Sequence, residues 1–296
     1  MAVQEINTIR EMQATADTLR AAGKRIGVVP TMGYLHEGHG SLIEAACREN
    51  DVVIVTIFVN PLQFAAHEDL STYPRNFKRD VEIIGAMGGA IVFAPVVGEM
   101  YPAGFETKIS IGGSTEKFEG AFRPSHFDGV ATVVAKLFMA TKPHSAYFGQ
   151  KDYQQVAVIR QLLRDLNIDI ALSVQPTVRE EDGLAKSSRN VYLSADDRAR
   201  AVVLSQALRA ALAMAQAGER QRDVLNTCLR NVLETVPDLR IDYAAAAQWF
   251  RKASEYGVRD SQYNLAILYA RGLGIGQDLS QSWIWFSLAA AQGDED

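Results

Sequence analysis

Short apolar, β-rich runs alternate with helix-period segments as far as residue 175, and that alternation restricts the fold more than any other feature. Runs at 25–29, 52–59, 90–94 and 168–174 are separated by helical patterns at 8–22, 42–48, 77–87, 130–139 and 153–166. Strands that alternate with helices pair in parallel, because each crossover helix returns the chain across the face of the sheet. The reading is α/β with a mainly parallel sheet. Such sheets take ligands in the crevice beyond the carboxyl ends of their strands.

Composition narrows the partners. The chain carries 30 Lys plus Arg against 35 Asp plus Glu, a net charge of -5, so no overall positive field holds a nucleic acid or an acidic membrane, and an anion needs a local cluster. With 48% hydrophobic and 22% charged residues the 296-residue chain sits near the globular average. Cys47 and Cys228 lie far apart in helix-like contexts, and no disulfide is expected. The first residues lack a signal-peptide pattern and no apolar run approaches ~20 residues, which points to the cytoplasm.

The chain changes character near residue 240. All nine prolines lie between Pro30 and Pro237, and all three tryptophans follow. After Ser194 the pattern is helical through Val236. Beyond 243, Trp249, Phe250, Ala253 and Gly257 recur at an offset of 36 as Trp285, Phe286, Ala289 and Gly293, the mark of a helical solenoid. The intervening YNLAILYARGLGIGQDLSQS resembles a Sel1-like repeat; the plainer alternative is an Ala-rich amphipathic tail. About one and a half repeats are present where roughly three bury a core of their own. The segment is expected to dock on the helices of 198–233 or on a protein partner.

The chemistry concentrates in RIGVVPTMGYLHEGHGSLIEAA, where a strand passes through a Pro and Gly turn into a helix expected to open near Ser41. His36 and His39 stand at that opening, where unpaired N–H groups and the helix dipole favour an anion. Gly38 lets a nucleotide approach the backbone. The spacing differs from the zinc motif H-E-x-x-H, which sets its histidines at i and i+4. It resembles the H-x-G-H signature of the nucleotidyltransferase superfamily.

Four further segments follow in order: FVNPLQF (58–64), EGAFRPSHFDGVATVVAKLF (119–138), AYFGQKDYQQ (146–155) and PTVREEDGLAKSSRN (176–190). With PTMGYLHEGH they resemble the pantoate:beta-alanine ligases over about residues 1–243. The resemblance implies a Rossmann-like nucleotidyltransferase domain at 1–175 and an SSRN loop with a helical remnant of the second ligase domain at 176–243. The all-helical Sel1-like fragment at 244–296 would stand in place of the family's small α+β lid. It also implies condensation of pantoate with beta-alanine through a pantoyl adenylate, with ATP and Mg²⁺ and a homodimeric assembly.

By the same resemblance His36, His39, Lys151 and Arg189 act on the phosphates, with Ser187 and Ser188 as hydroxyl donors. Gly149 and Asp152 meet the ribose and Val178 the adenine. Asp152 also reads as a cap of the helix that follows. Gln63 and Gln154 read the pantoate hydroxyls, with Met32 and Phe58 or Phe64 on the apolar side and Asn60 ordering the loop. Arg123 and His126 fit either a structural network or ligand contact, and 73–75 reads as a surface turn. Gly40, Ala65, His67 and Lys186 depart from the family pattern, Gly40 loosening a helix start and Lys186 adding positive charge. Two other functions remain open here: another carboxylate adenylyltransferase, and a non-catalytic scaffold that works through its tail.

Overall fold

The computed structural model describes residues 3–65 and 68–245. His67, and the repeat-like segment beyond its first two residues, lie outside the described residues.

The elements run β1 (Gln4–Ile6), α1 (Ile9–Ala21), β2 (Ile26–Thr31), α2 (Glu37–Glu49), β3 (Val52–Ile57), α3 (Phe77–Ala86), β4 (Ile91–Phe93), α4 (Val97–Met100), α5 (Glu119–Phe122), α6 (His126–Thr141), β5 (Ser145–Gly149), α7 (Tyr153–Asp165) and β6 (Ala171–Gln175). The strands form one sheet in the order β1-β4-β3-β2-β5-β6, and every pairing is parallel. Both faces are covered. The interior strands β2 and β3 are apolar almost throughout, as strands buried on two sides must be. Val29, Ile43, Ala46, Val53, Val55, Ile84, Val92 and Tyr147 make one continuous core with Leu35. Burying each aliphatic side chain of that size is worth about 1.5–3 kcal/mol.

From β2 the chain builds outward through β3 and β4, then returns to place β5 on the other side of β2. The order therefore reverses between β2 and β5, and a crevice opens beyond the carboxyl ends of those strands. Helix α6 is buried on nearly every side, as its apolar composition demands, and it packs against the Pro61–Gln63 turn.

Four expectations are corrected. Strands β1 and β5 were not anticipated: three residues carry too little pattern, and Ser145–Gly149 is short and opens on a Ser. Helix α2 opens at Glu37 with His36 as its cap, four residues before Ser41. Tyr73 is buried, at 5% exposure, and so is no surface turn.

A second unit comprises Glu181–Leu184 and, among the described residues, 194–245. It contains α8 (Ala195–Ala201), α9 (Val203–Gln216) and α10 (Arg222–Leu233). Ala207, Ala211 and Ala215 of α9, small residues four apart, admit Leu225, Leu229 and Leu233 of α10. Both cysteine thiols are free. Among the described residues no helix is long and apolar enough to cross a membrane.

Candidate active site

The loop from β2 into α2 is fixed from below. Thr31 donates its hydroxyl to the Thr56 carbonyl at 2.6 Å and accepts from the Gly33 N–H at 3.2 Å. Gly33 and Tyr34 both take positive φ, +82° and +51°, a turn that a tyrosine adopts only under restraint. The restraint is Asp80 of α3. Its buried carboxylate accepts from the Tyr34 and Leu35 N–H groups at 2.7 Å each. Burial pushes the Asp80 carboxyl up, and the two backbone donors oppose that shift.

His36 caps α2 through an unusual reciprocal pair. The His36 Nδ1 accepts from the Gly38 N–H at 3.1 Å, and the His39 Nδ1 accepts from the His36 N–H at 3.3 Å. Both Nδ1 atoms are acceptors, so both neutral rings carry their proton on Nε2 and have that N–H to give. The rings lie 4.1 Å apart. Burial lowers the His39 pKa to about 3, with His36 adding to the shift. Burial, then the Lys151 charge, also lowers His36. A Cβ on Gly38 would fall 2.8 Å from the His36 ring, which is why the position is glycine.

Across the crevice, β5 ends at Gly149, where an added Cβ meets nothing within 4 Å. The chain then turns through Gln150–Asp152. Lys151 Nζ donates to Asp152 Oδ1 at 3.1 Å. Desolvation works against the charge on Asp152, but Lys151, with His39 and Arg189 behind it, outweighs it and leaves the carboxyl below its ordinary value. Asp152 precedes α7 without making a side-chain cap bond.

The segment carrying SSRN closes through an Arg179 to Ala185 bridge and a Lys186 N–H to Val178 carbonyl bond of 3.0 Å, which leaves that carbonyl engaged. Lys186 lies between Glu180 at 2.8 Å and Glu37 at 3.1 Å, so two carboxylates offset the charge it adds. Ser187 caps the turn Ser188–Tyr192. The Ser188 hydroxyl donates to the Tyr34 carbonyl at 3.1 Å, joining this segment to the histidine loop. Arg189 pairs with Asp69 through two hydrogen bonds.

On the apolar side, buried Asn60 donates to the Gly129 carbonyl at 3.0 Å and to Gln63 Oε1 at 3.2 Å, and accepts from Tyr101 at 2.7 Å. Gly129 admits this loop, since a Cβ there would lie 2.3 Å from the Leu62 carbonyl oxygen. The Gln63 amide donates to the Met32 sulfur at 3.1 Å. Phe58 is buried against Tyr101, and Phe64 packs edge-on to Tyr73. Arg123 pairs with Glu68 and Glu119, and with His126 it donates to the Gln63 carbonyl. The structure thus places Arg123 and His126 in a network that holds Gln63.

Gln154 is bonded to the 114–119 segment. Its amide donates to the Ser114 and Lys117 carbonyls at 2.8 and 2.7 Å and accepts from the Glu119 N–H at 3.1 Å. One residue on, Gln155 is half-buried and its amide has no hydrogen-bond partner among the described residues. Asp80, Asp69 and Tyr73 were not picked out as site residues from the sequence. They lie in YPRN and its flanks, where no local spacing announces a partner 45 or 120 residues away.

The family model described as pantoate-beta-alanine ligase matches residues 4–273, and the Sel1 repeat model matches 259–294. The pantothenate synthetase of Chloroherpeton thalassium is 47% identical over 268 residues, 90% of this chain and 94% of that one. That of Roseiflexus sp. (strain RS-1) is 52% identical over 242 residues, 82% and 86% of the two chains. Among solved structures, pantothenate synthetase from Thermus thermophilus superposes with a TM-score of 0.78 at 47% identity, covering 81% of this chain and 86% of that one. The pantoate-beta-alanine ligase of Francisella tularensis, complexed with beta-gamma ATP and beta-alanine, gives 0.69 at 38% identity, covering 78% and 86%.

Proposed function

Because the chain belongs to the pantoate-beta-alanine ligase family, we propose how its own residues carry out the ATP-dependent joining of pantoate to beta-alanine. The observation that carries the proposal is the pair of neutral imidazoles at the helix N-terminus, whose Nδ1 atoms both accept from the backbone and so leave each Nε2–H to donate, near enough to Lys151 for its charge to act on both rings.

In the first step the pantoate carboxylate attacks the α-phosphorus of ATP and pyrophosphate leaves. In the second the beta-alanine amine attacks the acyl carbon, loses a proton, and AMP departs. Neither step needs a protein nucleophile. Phosphoryl-type transfer rests on alignment and on spreading negative charge, and His36, His39, Lys151 and Arg189 supply donors and cations for that purpose. Ser187 adds a hydroxyl, that of Ser188 being given to the Tyr34 carbonyl, Gly149 and Asp152 meet the ribose, and the Val178 backbone meets the adenine through its N–H, its carbonyl being taken.

The pantoate methyls lie against Met32 and Phe58, and Gln63, ordered by Asn60, reads a hydroxyl. Gln155 is the amide free to read the other, since Gln154 would have to release three bonds to the 114–119 segment. Neutral amides suit hydroxyls because they bring no charge to desolvate.

Mg²⁺ fits as a passenger on the triphosphate. Among the described residues no group of three or more His, Cys, Asp or Glu side chains is placed to hold a metal, and Mg²⁺ commonly takes phosphate oxygens with one or two carboxylates. Asp152 is the carboxylate at hand. It would hold the ion, which when bound would supply positive charge to the phosphates.

The same proposal includes a ligase body of 1–175 and 176–243, a Sel1-like fragment at 244–296 with a protein partner, a homodimer and a cytoplasmic setting. The test is AMP release measured with each substrate omitted in turn. Release should require pantoate, beta-alanine and ATP together, and release driven only by some other acid would remove the substrate assignment.

A further inference from the structure

Arg189 is held on more sides than a surface arginine needs. Its Nε and Nη2 donate to Oδ2 and Oδ1 of Asp69 at 3.0 and 3.1 Å, a side-on fork that fixes the plane of the guanidinium. The rings of Tyr73 and Phe64 lie 5.3 and 5.8 Å from its Cζ, within cation–π range. Tyr192, from the same turn as Arg189, donates to the Thr72 carbonyl at 3.0 Å and binds the turn to the Asp69 loop. The side-on fork uses Nε and Nη2 and leaves Nη1 over. The neighbouring Ser188 donates its hydroxyl to the Tyr34 carbonyl at 3.1 Å, which sets the turn carrying Arg189 beside the histidine loop.

We propose that Asp69 is a positioning residue, which holds the Arg189 guanidinium in one plane so that Nη1 is presented to the phosphates of the nucleotide. The inference rests on the reading that Arg189 acts on those phosphates. An arginine on a free stem must be oriented during the reaction, whereas one already forked to a carboxylate meets developing charge without reorganising. The alternative role of the same carboxylate is competition: an anion on Arg189 would then have to displace Asp69. Arg189 hydrogen bonding keeps the Asp69 carboxyl below its ordinary value, so the pair is ionised at neutral pH under either role.

A double-mutant cycle separates these. Asp69→Asn, Arg189→Ala and the double variant are compared with wild type in pantoate-dependent exchange of pyrophosphate into ATP, alongside thermal melts. Arg189→Ala is expected to slow exchange by about a hundredfold or more. Asp69→Asn should slow it by about tenfold with pantoate KM unchanged, because the fork is weakened while shape is kept. The double variant should be no slower than Arg189→Ala, since Asp69 acts only through that side chain. Asp69→Glu, which moves the charge by one methylene, should recover part of the rate and covers the case in which the Asn variant is poorly folded. An Asp69→Asn enzyme that is as fast as wild type, or that binds ATP more tightly, overturns the proposal, as does a slowing that persists undiminished in the Arg189→Ala background. Wild-type exchange by Arg189→Ala would instead remove the reading of Arg189 itself.

Discussion

Alanine at Gly38 isolates the aim of the histidine pair from the stability of the fold. The new Cβ would lie 2.8 Å from His36 Cε1 and 2.9 Å from Nδ1. To reach an ordinary contact of ~3.5 Å the ring must retreat by about 0.7 Å. The neighbour is the free end of a side chain, so the backbone need not move, but the Gly38 N–H to His36 Nδ1 bond of 3.1 Å is lost. Losing such a cap costs about 1 kcal/mol, while replacing a helical glycine by alanine returns about 0.5–1 kcal/mol. Net stability should stay within about 1 kcal/mol of wild type. Rate should not, because a misplacement of that size in a positioned donor costs on the order of a hundredfold. Gly40 is the control two residues on. There the Cβ meets Met87 at 3.6 and 3.8 Å, ordinary contact, so Gly40→Ala should gain about 0.5–1 kcal/mol and keep its activity. Urea unfolding and pyrophosphate exchange on the three proteins read both quantities. A Gly38→Ala enzyme at full rate would refute the role of the His36 ring. One that loses more than about 3 kcal/mol would show that the helix start matters for folding rather than for aim.

Lys151→Ala and His39→Ala should each lower kcat by about 2.7–4 kcal/mol in activation free energy, roughly a hundred- to a thousandfold, with melting little changed; full turnover in either folded variant excludes that residue. His39 should titrate near pH 3 by NMR and show the Nε2–H tautomer at about pH 5. Its folded pKa lies below the ordinary 6.5, so the unfolded chain takes up the proton first, and the contribution of His39 to stability is lost as pH falls through 6.5 towards 3. A His39→Gln variant should lack that slope, and an equal slope would contradict the burial of the ring. Gln155→Ala should raise pantoate KM, whereas Gln154→Ala should act first on the 114–119 segment, increasing its proteolysis or hydrogen exchange. A pantoate KM unchanged in Gln155→Ala counts against the assigned amide.

The parallel sheet and most of its helices were legible because their patterns are local: Val52–Ile57 is a run of branched residues, and Thr8 caps α1 as its type foretells. The start of α2 was less so. Histidine is seldom an N-cap, and two glycines in the first turn argue against a helix, until the ring-to-backbone bonds that offset them are seen. The site divides in the same way. The residues proposed to meet the phosphates fall in compact motifs, whereas Asp80 and Asp69 act on residues far away in the sequence, and only the fold shows what they touch. Gln154 and Gln155 are indistinguishable in DYQQ, and the turn of about 100° between successive helical residues gives them different neighbours.

Exchange of labelled pyrophosphate into ATP tests the central claim most directly, because it isolates adenylation from amine capture. The chain should exchange label when pantoate is present and beta-alanine is absent, and should not exchange without pantoate. Exchange that ignores pantoate, or that appears only once beta-alanine is added, would contradict an adenylate formed by these residues.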